Sequence, residues 1–281
     1  MTILLLLVIL VAVPAFLAAV LTYGIFSYEL INQPHPLFTA ACQGRPLAAC
    51  LARGLASSFA SQACMILTYP LGRCLPRRLA RMPRPGEPVV VCLHGLYHNP
   101  AAFLVIRPAL RRVGFAHVLP LAYGSFGRSF EAVAEGLLAE LRRAVPAHSP
   151  LVFVGHSLGG LLVRRLMAAP DVAGRVRAAV TLGSPHGGSK LAALAFGRLG
   201  RSLLPRGPMP ALLDALPDPP AARLTALVSP LDNMVIPLTG LAIDRPAWTT
   251  EVTIPVSHVA MLYHPAVIAR VAALASRERL L

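Results

Sequence analysis

Acidic side chains are scarce in this chain of 281 residues: 12 Asp and Glu stand against 26 Lys and Arg, a formal net charge of +14. Lysine is nearly missing, Lys190 being the single one, so the positive charge is almost all arginine. Aromatic residues make up only 6% of the chain. No nucleic-acid-binding module is recognisable either, so the basic charge does not point to nucleic acid. An anionic lipid surface is the more economical partner. The five cysteines include no C-x-x-C pair, which argues against a zinc site. Cys42, Cys50, Cys64 and Cys74 leave two readings open, two disulfides or free thiols. Cys92, inside an apolar run, reads as a buried inert thiol.

Charge is wholly absent from residues 1–28, and residues 3–21 are almost continuously apolar. They contribute to a mean hydropathy of +0.64. A membrane-spanning helix needs about 20 apolar residues, and this run is long enough. Pro14 predicts a kink, which such helices tolerate. The rival is a cleaved signal peptide, but there is no Lys or Arg at the start and the apolar run exceeds the usual 7–15 residues. The segment therefore reads as an uncleaved anchor of a single-pass membrane protein, acting as a tether. Residues 29–85 form a connection whose part 47–71 has helical character. They end in a basic, Pro-rich stretch with Arg77, Arg78, Arg81 and Arg84. The domain boundary is placed there, with residues 86–281 forming the second domain.

From residue 89 onward the pattern alternates. Strands are predicted at 89–93, 115–119, 151–154, 176–182, 223–228 and 250–256. Helices are predicted at 101–113, 129–145, after 157, and at 265–275. Strands alternating with helices predict an α/β fold, a mostly parallel six-stranded sheet covered on both faces. Residues 186–222 interrupt the alternation with a long, Pro-rich, partly apolar stretch. This is either an ordinary surface segment or a lid over a pocket.

The organising stretch is 151–160, LVFVGHSLGG. An apolar strand, then Gly155-His156-Ser157-Leu158-Gly159, then apolar residues at helical spacing give the strand–turn–helix context of a nucleophile elbow. Ser157 would stand at a helix N-terminus, whose partial positive charge favours a developing oxyanion. A serine hydroxyl needs a base to become a nucleophile. The backbone N–H of Leu158 would be one oxyanion donor.

Together with Leu93-His94-Gly95-Leu96, Thr181 through Ser189, Ser229-Pro230-Leu231-Asp232-Asn233 and His258-Val259, this pattern resembles the α/β-hydrolases of the bacterial lipase and esterase kind. It is also similar to the inositol-deacylase branch. The motifs span residues 89–265. The resemblance implies an α/β-hydrolase fold and a triad in the order Ser, Asp, His. Ser157 is then the nucleophile, Asp232 the acid after the fifth strand, and His258 the base after the sixth. His264 and Asp244 are the alternatives. Leu96 would supply the second oxyanion N–H. Tyr97 stands where many relatives have a small residue, which bears on pocket shape. The implied activity is hydrolysis of carboxylic esters, lipids included, through an acyl-enzyme, with no metal or organic cofactor and no nucleic-acid partner. A bacterial inner membrane is the expected location, with the side of the catalytic domain open. Thioesterase, amidase and acyltransferase chemistry fit the same triad, and a catalytically inactive scaffold binding a lipid or a partner is the reading from another class.

Overall fold

The structure, a computed structural model, describes residues 2–75 and 79–276. Arg77 and Arg78 of the basic linker lie outside the described residues. Three helices come first: α1 (Thr2–Asn32), α2 (Pro36–Ala41) and α3 (Leu47–Thr68). Then follow β1 (Val89–Leu93), α4 (Ile106–Arg112), β2 (His117–Leu121), α5 (Phe130–Ala144), β3 (Leu151–His156), α6 (Leu158–Met167), α7 (Pro170–Ala173) and β4 (Val176–Leu182). The chain continues with α8 (Gly197–Arg201), α9 (Pro208–Asp214), β5 (Arg223–Val228), β6 (Trp248–Val252) and α10 (Pro265–Ser276).

The strands form one sheet in the order β2-β1-β3-β4-β5-β6, with every pairing parallel. A parallel sheet needs crossovers that place helices on its faces, so its central strands are buried on both sides and read as unbroken apolar runs. β1 and β3 are buried at every position. Their alternate residues feed two separate layers. Val89, Val91, Leu93, Leu151 and Phe153 meet α5 and α6 through Leu137, Leu141, Leu161 and Leu162. Val90, Cys92, Val152 and Val154 meet Phe103, Ile106 and Leu110 around α4 and Val267 and Val271 of α10.

Two strands are displaced from their predicted places. The second runs 117–121 because Phe115 packs as the turn out of α4 and joins the second core layer. The sixth runs 248–252, and the chain turns away before Pro255, which has no N–H to continue a ladder. The predicted helix 101–113 is a short 3-10 turn at Pro100–Phe103 followed by α4.

A third core layer lies outside the sheet. Tyr23, Phe26 and Leu30 of α1, Phe38 of α2 and Cys50 of α3 pack against Val228, Leu231, Val235, Ile236, Leu238 and Leu241. The buried positions of α1, Ala15, Ala19, Thr22, Tyr23, Phe26 and Leu30, recur at three- and four-residue intervals and so share one face. The opposite face, with Phe16, Leu17, Val20, Leu21 and Ile31, is exposed and apolar. α1 and α3 pack closely at Gly54, where a β-carbon would enter the Tyr23 ring. α1 (Val8–Asn32) and the stretch Leu47–Arg73 are each long and apolar enough to cross a membrane. All five cysteines are free thiols.

Candidate active site

The turn between β3 and α6 places Ser157 at φ 55° and ψ −126°. A non-glycine residue rarely adopts this left-handed conformation, which costs on the order of 1–3 kcal/mol and is held by its surroundings. Those surroundings tolerate only glycine. A β-carbon on Gly155 would come within 2.6 Å of the Gly160 backbone, one on Gly159 would enter the Leu93 carbonyl, and one on Gly160 would strike Ser184. The Ser157 N–H donates to the Leu182 carbonyl (2.8 Å), tying the elbow to the end of β4.

Asp232, in the loop after β5, is fully buried. Its Oδ2 lies 2.7 Å from Nδ1 of His258. Its Oδ1 accepts the N–H groups of Met234 and Val235, each at 3.0 Å. The carboxylate is therefore satisfied on both oxygens and fixed in direction. The His258 N–H donates to Oδ1 of Asn233 (3.2 Å). With Nδ1 engaged by Asp232, Nε2 is the ring nitrogen left for chemistry, and His258 lines the same cavity as Ser157. No hydrogen bond joins the Ser157 hydroxyl to His258 among the described residues. Catalytic contacts of this kind are often long before substrate binds.

The two alternatives are placed elsewhere. His264 uses its Nδ1 to accept the Ala266 N–H (3.2 Å) at the start of α10. Asp244 is exposed. The N–H of Leu158 opens α6, and Leu96 lines the cavity. Neither N–H makes a hydrogen bond among the described residues, so both remain available as donors. Beside them Tyr97, at φ 57°, donates its N–H to Ser125 Oγ (2.8 Å) and its hydroxyl to the Phe196 carbonyl. The residue that departs from the expected small one thus ties the loop after β1 to the segment after β4.

The other histidines brace the loops. His94 stacks on Tyr123 (ring centroids 4.1 Å apart, 7° between planes) and its Nδ1 donates to the Gly95 carbonyl (2.9 Å). Burial pushes its pKa down to about 3. His98 is pushed to about 4 and His186 to about 3, again by burial. Nε2 of His156 donates to the His258 carbonyl (3.2 Å), so this residue braces the backbone of His258. Burial, and then its neighbour His258, hold its pKa well below the ordinary value.

The cavity measures about 340 Å³, near the lower end of the range of about 300–1,000 Å³ usual for ligand pockets. Leu191, Ala192, Leu194, Ala195 and Leu203, from the segment after β4, line one side. Ala18, Leu21 and Thr22 of α1 and Gln62 and Met65 of α3 line another. These five fall in the stretches read from sequence as anchor and linker. Thr22 Oγ1 (2.6 Å) and Ser58 Oγ (3.2 Å) both accept from Nδ2 of Asn233. The Tyr23 hydroxyl donates to the Leu231 carbonyl (2.8 Å). The N-terminal helices therefore hold the loop that carries Asp232. One signal was available in the sequence: Ser57, Ser58, Ser61 and Gln62 place polar groups on one face of an otherwise apolar helix. No group of three or more His, Cys, Asp or Glu gathers as a metal would require among the described residues.

Residues 133–197 match the PGAP1-like alpha/beta domain. No curated protein matches the sequence. Among solved structures, the mature lipase BlEst2 of Bacillus licheniformis is similar over 69% of this chain and 91% of its own, at 17% identity and a TM-score of 0.56. The lin2722 product of Listeria innocua is similar over 67% and 93%, at 14% identity and a TM-score of 0.51. A structure from the work on the metagenome-derived lipolytic enzymes LipS and LipT is similar over 73% and 99%, at 17% identity and a TM-score of 0.52. At such identities the likeness is one of fold.

Proposed function

We propose that this chain, which has the α/β-hydrolase fold of bacterial lipases and esterases, is a membrane-associated serine hydrolase of carboxylic lipid esters. The observation that carries the reading is the buried Asp232–His258 pair, 2.7 Å apart, bordering the cavity of a serine in the elbow conformation. The similar structures described as lipase or lipolytic support the ester class.

In this mechanism Ser157 Oγ attacks the ester carbonyl and Nε2 of His258 takes its proton. Asp232 keeps the proton of the imidazole on Nδ1 and stabilises the imidazolium that forms. The oxyanion accepts from the N–H groups of Leu158 and Leu96, fixed in advance so that no reorganisation is needed as charge develops. The tetrahedral intermediate collapses, the alcohol leaves with the proton from His258, and the acyl group stays on Ser157. Water, deprotonated by the same imidazole, then releases the acid. The segment after β4 serves as the lid.

Membrane association rests on the apolar exposed face of α1, and Leu67 in α3 and Tyr69 and Leu71 just beyond it are exposed as well. A face of that kind is stable in lipid and costly in water. Because the other face of α1 is packed on the catalytic loops, the active site would lie close to the bilayer surface.

Ser157→Ala tests the assignment. Ester hydrolysis should fall on the order of 10⁴-fold or more while thermal unfolding is unchanged, and a fluorophosphonate should label the wild type but not the variant. Near wild-type hydrolysis by purified Ser157→Ala would refute the reading.

A further inference from the structure

Gln62 is a polar residue in an unusual place. It sits in the middle of an apolar helix, is 4% exposed, and lines the cavity of Ser157. Its Nε2 is buried without a partner among the described residues. An unpaired buried amide destabilises the protein that carries it, so a partner from outside the chain is the natural way to satisfy it. An amide both donates and accepts, as a hydroxyl does.

The rest of the cavity narrows what that partner is. No Lys, Arg, Asp or Glu lines it. Of its three histidines, burial pushes His98 and His156 below the ordinary value, and His258 is paired with Asp232. No free charged side chain there offsets a phosphate or an ammonium group, and burying an uncompensated charge is costly. The mouth is apolar and faces outward: Leu21 and Leu194 both line the cavity, yet are 55% and 56% exposed. Leu21 also belongs to the exposed apolar face of α1, so the path to Ser157 opens beside the surface expected to meet lipid.

We infer that α1 and α3 complete the substrate site, with Gln62 hydrogen-bonding the hydroxylated alcohol side of a neutral, acylglycerol-type ester that enters from the bilayer past Leu21 and Leu194. The acyl chain lies along Met65 and the lid leucines. This rests on Ser157 being the nucleophile. Gln62 is then the residue that selects the alcohol, and it stands outside the hydrolase domain proper.

The test uses the full chain in nanodiscs of neutral lipid. Two substrates of equal acyl length are compared, a 1-monoacylglycerol and a p-nitrophenyl ester, whose alcohol side has no hydroxyl for Gln62. In Gln62→Leu, kcat/KM on the monoacylglycerol should fall on the order of tenfold, the loss of one neutral hydrogen bond, with the p-nitrophenyl ester within about twofold. Met65→Trp should shift the preferred p-nitrophenyl acyl chain to shorter lengths. Equal losses on both substrates in Gln62→Leu would mean that Gln62 only supports helix packing, and would overturn the inference. No loss on either, or a wild-type preference for a lysophospholipid over the monoacylglycerol, would overturn it as well. Fluorophosphonate labelling of wild-type Ser157 separates the two levels. Labelling with an unaffected monoacylglycerol rate removes this inference alone, whereas no labelling and no turnover removes the hydrolase reading and this one with it.

Discussion

Removing residues 1–28 distinguishes a tether from a structural part of the enzyme. A tether could be cut without effect on short soluble esters, the expectation its composition invites. The packing of α1 argues otherwise. The truncation deletes Tyr23 and Phe26 from a core shared with Leu231, Val235 and Ile236, each burial being worth about 1.5–3 kcal/mol. It also deletes the Thr22–Asn233 and Tyr23–Leu231 hydrogen bonds, worth about 1 kcal/mol each. The loss is about 5–8 kcal/mol, on the scale of the whole stability of a domain, about 5–15 kcal/mol. It falls on the loop holding Asp232, where a displacement of about 1 Å costs roughly 10²-fold in rate. Hydrolysis of p-nitrophenyl butyrate in solution and of long-chain ester in vesicles should therefore both drop by about 10²-fold or more, with a lower Tm. Tyr23→Phe isolates one hydrogen bond and should lower Tm by about 2–4 °C. A truncated enzyme that keeps its soluble-ester rate and loses only the vesicle activity would refute the reasoning, for the helix would then be a tether after all.

Asp232→Asn should leave the fold intact and lower kcat by about 10⁴-fold, because the amide favours the wrong imidazole tautomer; a loss under tenfold would remove Asp232 from the triad. Acid stability follows from His94, His98 and His186, whose folded pKa values of about 3, 4 and 3 lie below the unfolded value of about 6.5. Between those limits the unfolded chain binds more protons, so stability is complete above about pH 6.5 and is lost as pH falls, by up to about 1.4 kcal/mol per unit for each histidine. Denaturant midpoints at pH 7, 6 and 5 should fall steadily, and a flat profile would show that these rings are not buried neutral.

The sheet was legible because its signals are local. Each central strand is an apolar run, a consequence of burial on both faces, and the elbow glycines sit in sequence beside the serine whose conformation they permit. Ser129 caps α5 by accepting the Ala132 N–H, which sets that boundary within a residue of expectation. Strand ends were less legible, since Phe115 and Ile254 are as apolar as strand residues and only the tertiary turn takes them out of the ladder. The Asp232 and His258 choices followed from their places after β5 and β6, where loops gather at one edge of a parallel sheet. Their 2.7 Å approach is a tertiary fact that spacing alone does not determine.

What the sequence hid is the packing of the N-terminal helices on the loop after β5, and the reason is physical. A helix that keeps one apolar face outward and packs another against a protein core is apolar all round, so the periodicity that betrays an amphipathic helix in water is erased. Over residues 15–22 of α1 the two faces differ by size and polarity: Ala15, Ala19 and Thr22 are buried where Phe16, Leu17 and Leu21 are exposed, whereas Tyr23, Phe26 and Leu30 fill the buried face beyond them. Small residues inward let a helix approach a neighbour closely, as they do between membrane helices, and Gly54 against Tyr23 is the same device in α3. In a helix of this composition the informative residues are therefore the small and polar ones. Thr22, Ser58, Ser61 and Gln62 are all buried, and Thr22 and Ser58 reach the Asn233 amide next to Asp232. A helix that served only as a tether would have no use for these groups.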